Sequence, residues 1–232
     1  MCVICVKKQG AENPDFSKIR NAARNNPDGF AIITRRGWQI ETFRTMDADA
    51  FLREYSRRCD APEWIIHCRI ATHGSKRVSN CHGWRGAGLA FAHNGILSLK
   101  NRGDLTDSET FFRDILIPAF RCGGWVGAEK AINAVIGNSK FAVMSKSGVR
   151  IFGHWLDDDK QDGVFWSNGS FRANCYSPRS ADYNLGFWPK DSARAIKSAF
   201  PRPRNYSDEA RKIRVLPNGC VLDVEKFATA EK

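Results

Sequence analysis

Cys2-Val3-Ile4-Cys5-Val6-Lys7 follows directly on Met1. The run is short, apolar and rich in β-branched residues, which reads as a buried strand. Its two cysteines have the C-x-x-C spacing, but redox or zinc use of that spacing needs a helix start or a tight turn. Within a strand an offset of three sends the two sulfurs to opposite faces. Cys2 therefore stands on its own account. Removal of the initiator Met would leave it as first residue, with an α-amine of pKa about 7.7–8.0 beside its thiol. Such an amine can act as general base near neutral pH without a histidine. The plainer alternative is a small hydrophobe that begins a core strand.

Working outward, residues 15–25 read as a helix with Phe16, Ile19, Ala22 and Ala23 on one stripe, ended by Asn25-Asn26-Pro27-Asp28-Gly29. Strands are expected at 30–34 and 38–43, then a helix at 47–58. A further strand at 64–70 runs into a polar loop at 72–86. A short strand at 88–92 ends at His93-Asn94-Gly95. Thr106-Asp107-Ser108-Glu109 opens the clearest helix, capped by Thr or Asp, with Pro118 near its end. Residues 128–136 form a second helix, and strands follow at 141–145, 149–152 and 164–167. One short helix is expected at 191–200. Asn218-Gly219 then marks a hairpin between 213–216 and 220–223. Strands, two helices in mid-chain and strands again describe an α+β layered domain rather than a βαβ alternation.

Composition bounds the function. The 232 residues are 42% hydrophobic and 26% charged, which excludes wholesale disorder. No apolar run approaches the roughly 18 residues of a membrane span, and the first residues reverse the order of a secretory signal. The net charge of +11 favours acidic partners. Part of it is local, since Arg172 to Arg214 holds ten Lys/Arg against four Asp/Glu. A solvated basic face and a nucleic-acid or acidic-protein surface both fit that count. Eight cysteines without an export signal read as reduced thiols of a cytoplasmic protein. His67-Cys68 and Cys81-His82 lack paired zinc spacing, so no metal is expected.

Five short motifs follow in order: Met1-Cys2, Asn26-Pro27-Asp28-Gly29-Phe30-Ala31, Arg69-Ile70-Ala71-Thr72-His73-Gly74, His93-Asn94-Gly95 and Thr106-Asp107-Ser108-Glu109. Together they resemble the class II glutamine amidotransferases, glutaminase modules with an N-terminal cysteine nucleophile. The resemblance covers roughly 1–170 and, through the closing hairpin, extends to a single domain over 1–232 with a basic insertion at about 172–211. It implies the four-layer αββα N-terminal-nucleophile hydrolase sandwich with antiparallel sheets. It also implies Cys2 as nucleophile through a γ-glutamyl thioester, with Asn94 and Gly95 as oxyanion donors. Arg69 then holds the substrate carboxylate and Asp107 its ammonium. Thr72 and His73 lie beside the glutamine, and Asp28 and Gly29 shape the wall. Ala31 stands where the family more usually has glycine, and Ile70 replaces a frequent tryptophan. Ser167-Asn168-Gly169 falls where the family often has a polar strand end.

No residues remain for an ammonia-using domain, and neither a phosphate loop nor a dinucleotide fingerprint occurs, so no cofactor is expected. Three readings follow. One is a stand-alone glutaminase subunit that passes ammonia from L-glutamine to a separate synthetase or transferase. The second is a self-contained γ-glutamyl amide hydrolase. The third is an inactive scaffold that binds an acidic partner.

Overall fold

The computed structural model describes residues 2–71, 75–99, 103 and 105–173, and the backbone of 213–215 and 222–224. The opening run is strand β1 (Val3–Lys7), with all five residues buried. Period-2 alternation explains its unbroken apolarity. Val3 and Cys5 pack with Ile19, Ala22 and Ala23 of helix α1 (Phe16–Asn25) and with Phe51 and Tyr55 of helix α2 (Ala48–Arg58). Ile4 and Val6 point the other way, to a cluster with Ala90, Ala92, Ala142 and Met144. A strand covered on both faces has no polar face to show.

Two antiparallel sheets result. The first has six strands. Strand β1 lies between β4 (Glu63–Cys68) and β10 (Val164–Trp166), and the order is completed by β2 (Phe30–Arg36), β3 (Gln39–Thr45) and β9 (Leu156–Asp157) as β3-β2-β4-β1-β10-β9. The second sheet is β5 (Trp84–Gly86), β6 (Leu89–Asn94), β7 (Lys140–Ser145) and β8 (Gly148–Phe152), in chain order. Its other face buries Phe91, Phe141 and Val143 against Phe111, Phe112, Leu116, Ala128 and Ile132. Those residues come from helix α3 (Asp107–Phe111), the π-turn Phe112–Leu116 and helix α4 (Ile117–Asn133). Strands β11 (Ile213–Val215) and β12 (Leu222–Val224) pair antiparallel as the hairpin reading expects; its Asn218-Gly219 turn lies outside the described residues, as does the helix expected at 191–200.

Three elements depart from expectation. The loop at 72–86 contains a 3-10 turn (Val78–Asn80) and β5, a three-residue strand too short for a periodic signal. Strand β9 has two residues and is equally invisible in sequence. The helix from Thr106 does not stop near Pro118. After the π-turn the α-helix restarts, and Pro118 sits in its first turn, where a missing N–H costs nothing. The break falls instead at Gly123-Gly124, where φ is −127° and then +55°.

A histidine stack joins the two sheets. The rings of His67 (β4) and His82 lie parallel at 3.9 Å, and His93 (β6) continues the series at 6.4 Å from His82. The His93 N–H donates to His82 Nδ1 at 3.0 Å, and His93 Nδ1 meets Ser108 Oγ at 2.8 Å. Both nitrogens of His67 are buried without a hydrogen-bond partner among the described residues. Burial, with Arg69 and His93 adding to it, holds His67 down to about 3. Burial holds His93 at about 4 against the pull of Asp107. His82 is lowered well below its ordinary value by burial and by the neighbouring His67, His93 and Arg69.

These residues fold neutral. The unfolded chain takes up their protons below about pH 6.5, so their contribution is fully present above that value and lost as pH falls toward the folded values. His67 and His93 each cost about 2 kcal/mol at about pH 5 by that linkage. His67→Met should therefore shrink the drop in unfolding free energy between about pH 7.5 and pH 5 by about 2 kcal/mol, read from urea titrations. A variant with the wild-type pH dependence contradicts the buried neutral imidazole.

Candidate active site

Cys2 stands one residue ahead of β1, and the register Val3–Cys68 carried one step further sets it opposite Arg69. The Ile70 backbone meets the sulfur twice: Ile70 N–H donates to Cys2 Sγ at 3.4 Å, and the thiol donates to Ile70 C=O at 3.5 Å. Burial pushes the Cys2 thiol up, while the Ile70 contact and the Arg69 charge pull it down, and burial prevails. To act as a nucleophile, a thiol held protonated in this way would need a proton acceptor.

Arg69 is buried, at 4% exposure, and one of its N–H groups donates to the Ser75 carbonyl at 3.1 Å. Its backbone is zipped to the segment before β2. Arg69 N–H donates to Gly29 C=O, and Asp28 N–H donates to Arg69 C=O, both at 2.8 Å. The Asp28 carboxylate accepts Ala71 N–H at 2.9 Å and pairs with Lys76 at 2.6 Å. Asp28 thus anchors the chain that carries Arg69 out of β4. Gly29 has φ +134°, and a Cβ there would lie 2.6 Å from Cys81 Sγ, so the close approach requires glycine.

The second sheet brings the remaining residues. Asn94 ends β6 on the same face as Ala90 and Ala92, and Asn94 Nδ2 donates to Ser167 Oγ at 2.8 Å. Gly95 has φ +151°, with a hypothetical Cβ 2.1 Å from Ser139 Oγ and 3.0 Å from His93 Nε2. Asp107 holds the turn that follows: its Oδ2 accepts Leu97 N–H at 2.8 Å and its Oδ1 accepts Ser108 N–H at 2.7 Å. Of the two cap candidates, Thr106 caps the helix, accepting Glu109 N–H at 3.2 Å. Asp107 is left to brace the Asn94-Gly95 turn.

The expected site residues thus fall into two groups, one at the start of β1 and the end of β4 and one at the end of β6. One is Cys2 with Arg69, Asp28 and Gly29, and the other is Asn94 and Gly95 with Asp107. Ser167 joins them, since its Oγ also accepts Ile4 N–H at 2.8 Å. Thr72 and His73 lie outside the described residues. Ser139 forms the wall behind Gly95. Nothing in its local sequence marks it, because the contact spans two strands. The histidine stack is also unmarked by spacing. Among the described residues no group of three His, Cys, Asp or Glu is placed to hold a metal ion, and the six described cysteines are free thiols.

Gly95→Ala puts a methyl into Ser139 and a side chain into left-handed backbone. It should cost about 1–3 kcal/mol in chemical denaturation. A variant as stable as wild type contradicts this packing.

No family model matches the chain, and no curated protein sequence matches it. Solved structures do. Glutamine phosphoribosylpyrophosphate amidotransferase from B. subtilis superposes with a TM-score of 0.51 at 16% identity, over 72% of this chain and 42% of that one. The allosteric regulatory enzyme of purine biosynthesis gives 0.51 at 14%, over 72% and 41%. A glutamine amidotransferase identified by prediction in Pseudomonas aeruginosa gives 0.42 at 18%, over 71% and 78%. The chain spans about two fifths of the length of the first two. At these identities the likeness is one of fold: over 72% of its length this chain shares the fold of glutamine amidotransferases.

Proposed function

We propose that this protein is a class II glutaminase in a single domain, folded as the four-layer αββα N-terminal-nucleophile hydrolase sandwich. It splits the side-chain amide of L-glutamine and passes ammonia to a separate synthetase or transferase. The observation that carries the reading is that β1, which Cys2 leads, and Asn94 of the other sheet are joined by one hydroxyl. Ser167 Oγ accepts both Ile4 N–H and Asn94 Nδ2–H. A nucleophile and an amide N–H donor so placed suit acyl transfer.

The chemistry follows residue by residue. With Met1 removed, the Cys2 thiol attacks the amide carbonyl carbon and gives its proton to the Cys2 α-amine. The oxyanion takes hydrogen bonds from Asn94 Nδ2 and the Gly95 backbone N–H. The C–N bond breaks, the amine returns the proton to the leaving nitrogen, and ammonia departs from a γ-glutamyl thioester. Water then attacks the thioester, regenerating the thiol and releasing glutamate. The guanidinium of Arg69 suits the α-carboxylate because its planar fork can meet both oxygens. Asp107 takes the α-ammonium, with Thr72 and His73 beside the substrate and His73 in a positioning role. No step calls on a cofactor or a metal.

The free thiols support a reducing compartment, the cytoplasm. No helix among the described residues is long and apolar enough to cross a membrane. The basic segment at 172–211 is proposed as the docking surface for the acceptor enzyme or another acidic partner, nucleic acid included. Its charge is the support for that part.

Ammonia release from L-glutamine tests the proposal, with the N-terminus checked by intact mass. Protein lacking Met1 should turn over and Cys2→Ala should not. Arg69→Lys should raise KM for glutamine about tenfold, the cost of one lost charged hydrogen bond. Faster cleavage of γ-glutamyl peptides than of glutamine would transfer the reading to a self-contained γ-glutamyl hydrolase. Retention of Met1 with no turnover and with salt-sensitive binding to an acidic partner would overturn the enzyme reading.

A further inference from the structure

The first peptide of β1 and the amide of Asn94 are both held by one dipeptide at the end of β10. Trp166 pairs with Cys5 in the regular ladder, and Ser167 N–H still donates to Ile4 C=O at 2.9 Å. In a regular antiparallel pair the Ser167 carbonyl would take the Ile4 N–H in return. The Ser167 hydroxyl takes it instead, at 2.8 Å, and the chain leaves the ladder there. The same oxygen accepts Asn94 Nδ2–H at 2.8 Å. Both its lone pairs are then used, and the second N–H of Asn94 remains for a ligand.

Asn168 acts on the other partner. Its Nδ2 donates to the Cys2 carbonyl at 2.6 Å, while its Oδ1 accepts Ser170 N–H at 2.9 Å and caps the 3-10 turn Gly169–Phe171. That turn is anchored in the core: Phe171 stacks on Trp166 at 4.3 Å, and Ser170 C=O accepts Asn25 Nδ2–H at 2.8 Å. Ser167 is buried, at 3% exposure. The dipeptide is therefore a fixed gauge with one arm on each sheet.

We propose that Ser167 and Asn168 are positioning residues that set the separation between the Cys2 thiol and the Asn94 amide. The catalytic consequence rests on the glutaminase reading, whereas the junction itself rests on these hydrogen bonds. A nucleophile and an oxyanion donor on different sheets can drift apart without unfolding, and a misplacement of about 1 Å can cost on the order of 100-fold in rate.

Three measurements on Ser167→Ala, Ser167→Thr and Asn168→Asp separate the possibilities. Side-chain amide exchange of Asn94, read by NMR on protein labelled at asparagine, needs no turnover. It should quicken at least about tenfold in Ser167→Ala and stay near wild type in Ser167→Thr, because a buried hydrogen bond is lost and then kept. With L-glutamine, kcat should fall about 10- to 100-fold in Ser167→Ala and Asn168→Asp at little-changed KM, and Thr should recover most of it. Alkylation of Cys2 by iodoacetamide requires no oxyanion donor, so in Ser167→Ala it should stay within about twofold of wild type. Unchanged Asn94 exchange in Ser167→Ala overturns the junction whatever the turnover. Quickened exchange in a protein whose wild type is silent on glutamine upholds the junction and removes the glutaminase reading. Quickened exchange with kcat within about twofold of an active wild type overturns the positioning role.

Discussion

A side chain carried one residue ahead of a strand is held no more firmly than the strand itself. Here β1 is paired on both edges, with β4 and β10, and packed on both faces. Val3 to Val6 are each 1% exposed or less. A slip of one residue would send every one of those side chains to the opposite face, which such packing forbids. The positions of Cys2, of Arg69 across from it and of Asn168 on its carbonyl all follow from that fixed register.

The second requirement is that groups from the other sheet arrive in a place with little water. The fold meets it with polar contacts that leave few alternatives. The Asp28 carboxylate fastens the loop beyond β4, Asp107 fastens the turn beyond β6, and Gly95 lets that turn lie against Ser139. The histidine stack lies in the same seam, neutral, with both His67 nitrogens and His93 Nε2 lacking a hydrogen-bond partner among the described residues. Its buried imidazoles oppose folding as acid is added, and they link the stability of this seam to pH.

Much of the fold is legible in the sequence because the signals are periodic. α1 and α2 repeat apolar residues at helical spacing, and β1 and β4 are short apolar runs rich in β-branched residues. Strands β5 and β9 are missed because three or two residues hold no period. The course of the helix past Pro118 is missed because the π-turn shifts the register where proline would otherwise break it. At the candidate site, Cys2, Arg69, Asn94 and Asp107 are marked by short motifs, and the structure places Cys2 opposite Arg69 and has Asp107 brace the turn that follows Asn94. The link between those groups escapes a local reading. In sequence Ser167 shows only as part of a polar strand end, and its bonds to Ile4 and Asn94, far away along the chain, are seen only in the structure. The same holds for Ser139 behind Gly95 and for His67 under His82.

The central claim is that Cys2 carries the glutamyl group. It is tested most directly by mixing the Met1-free protein with L-glutamine, quenching in acid within the first turnovers and mapping the N-terminal peptide by mass spectrometry. A γ-glutamyl thioester on Cys2 is expected, one that hydroxylamine removes and that Gly95→Ala or Ser167→Ala diminishes. Steady ammonia release with an unmodified Cys2 at every quench time, or a glutamyl adduct on another cysteine, would contradict it.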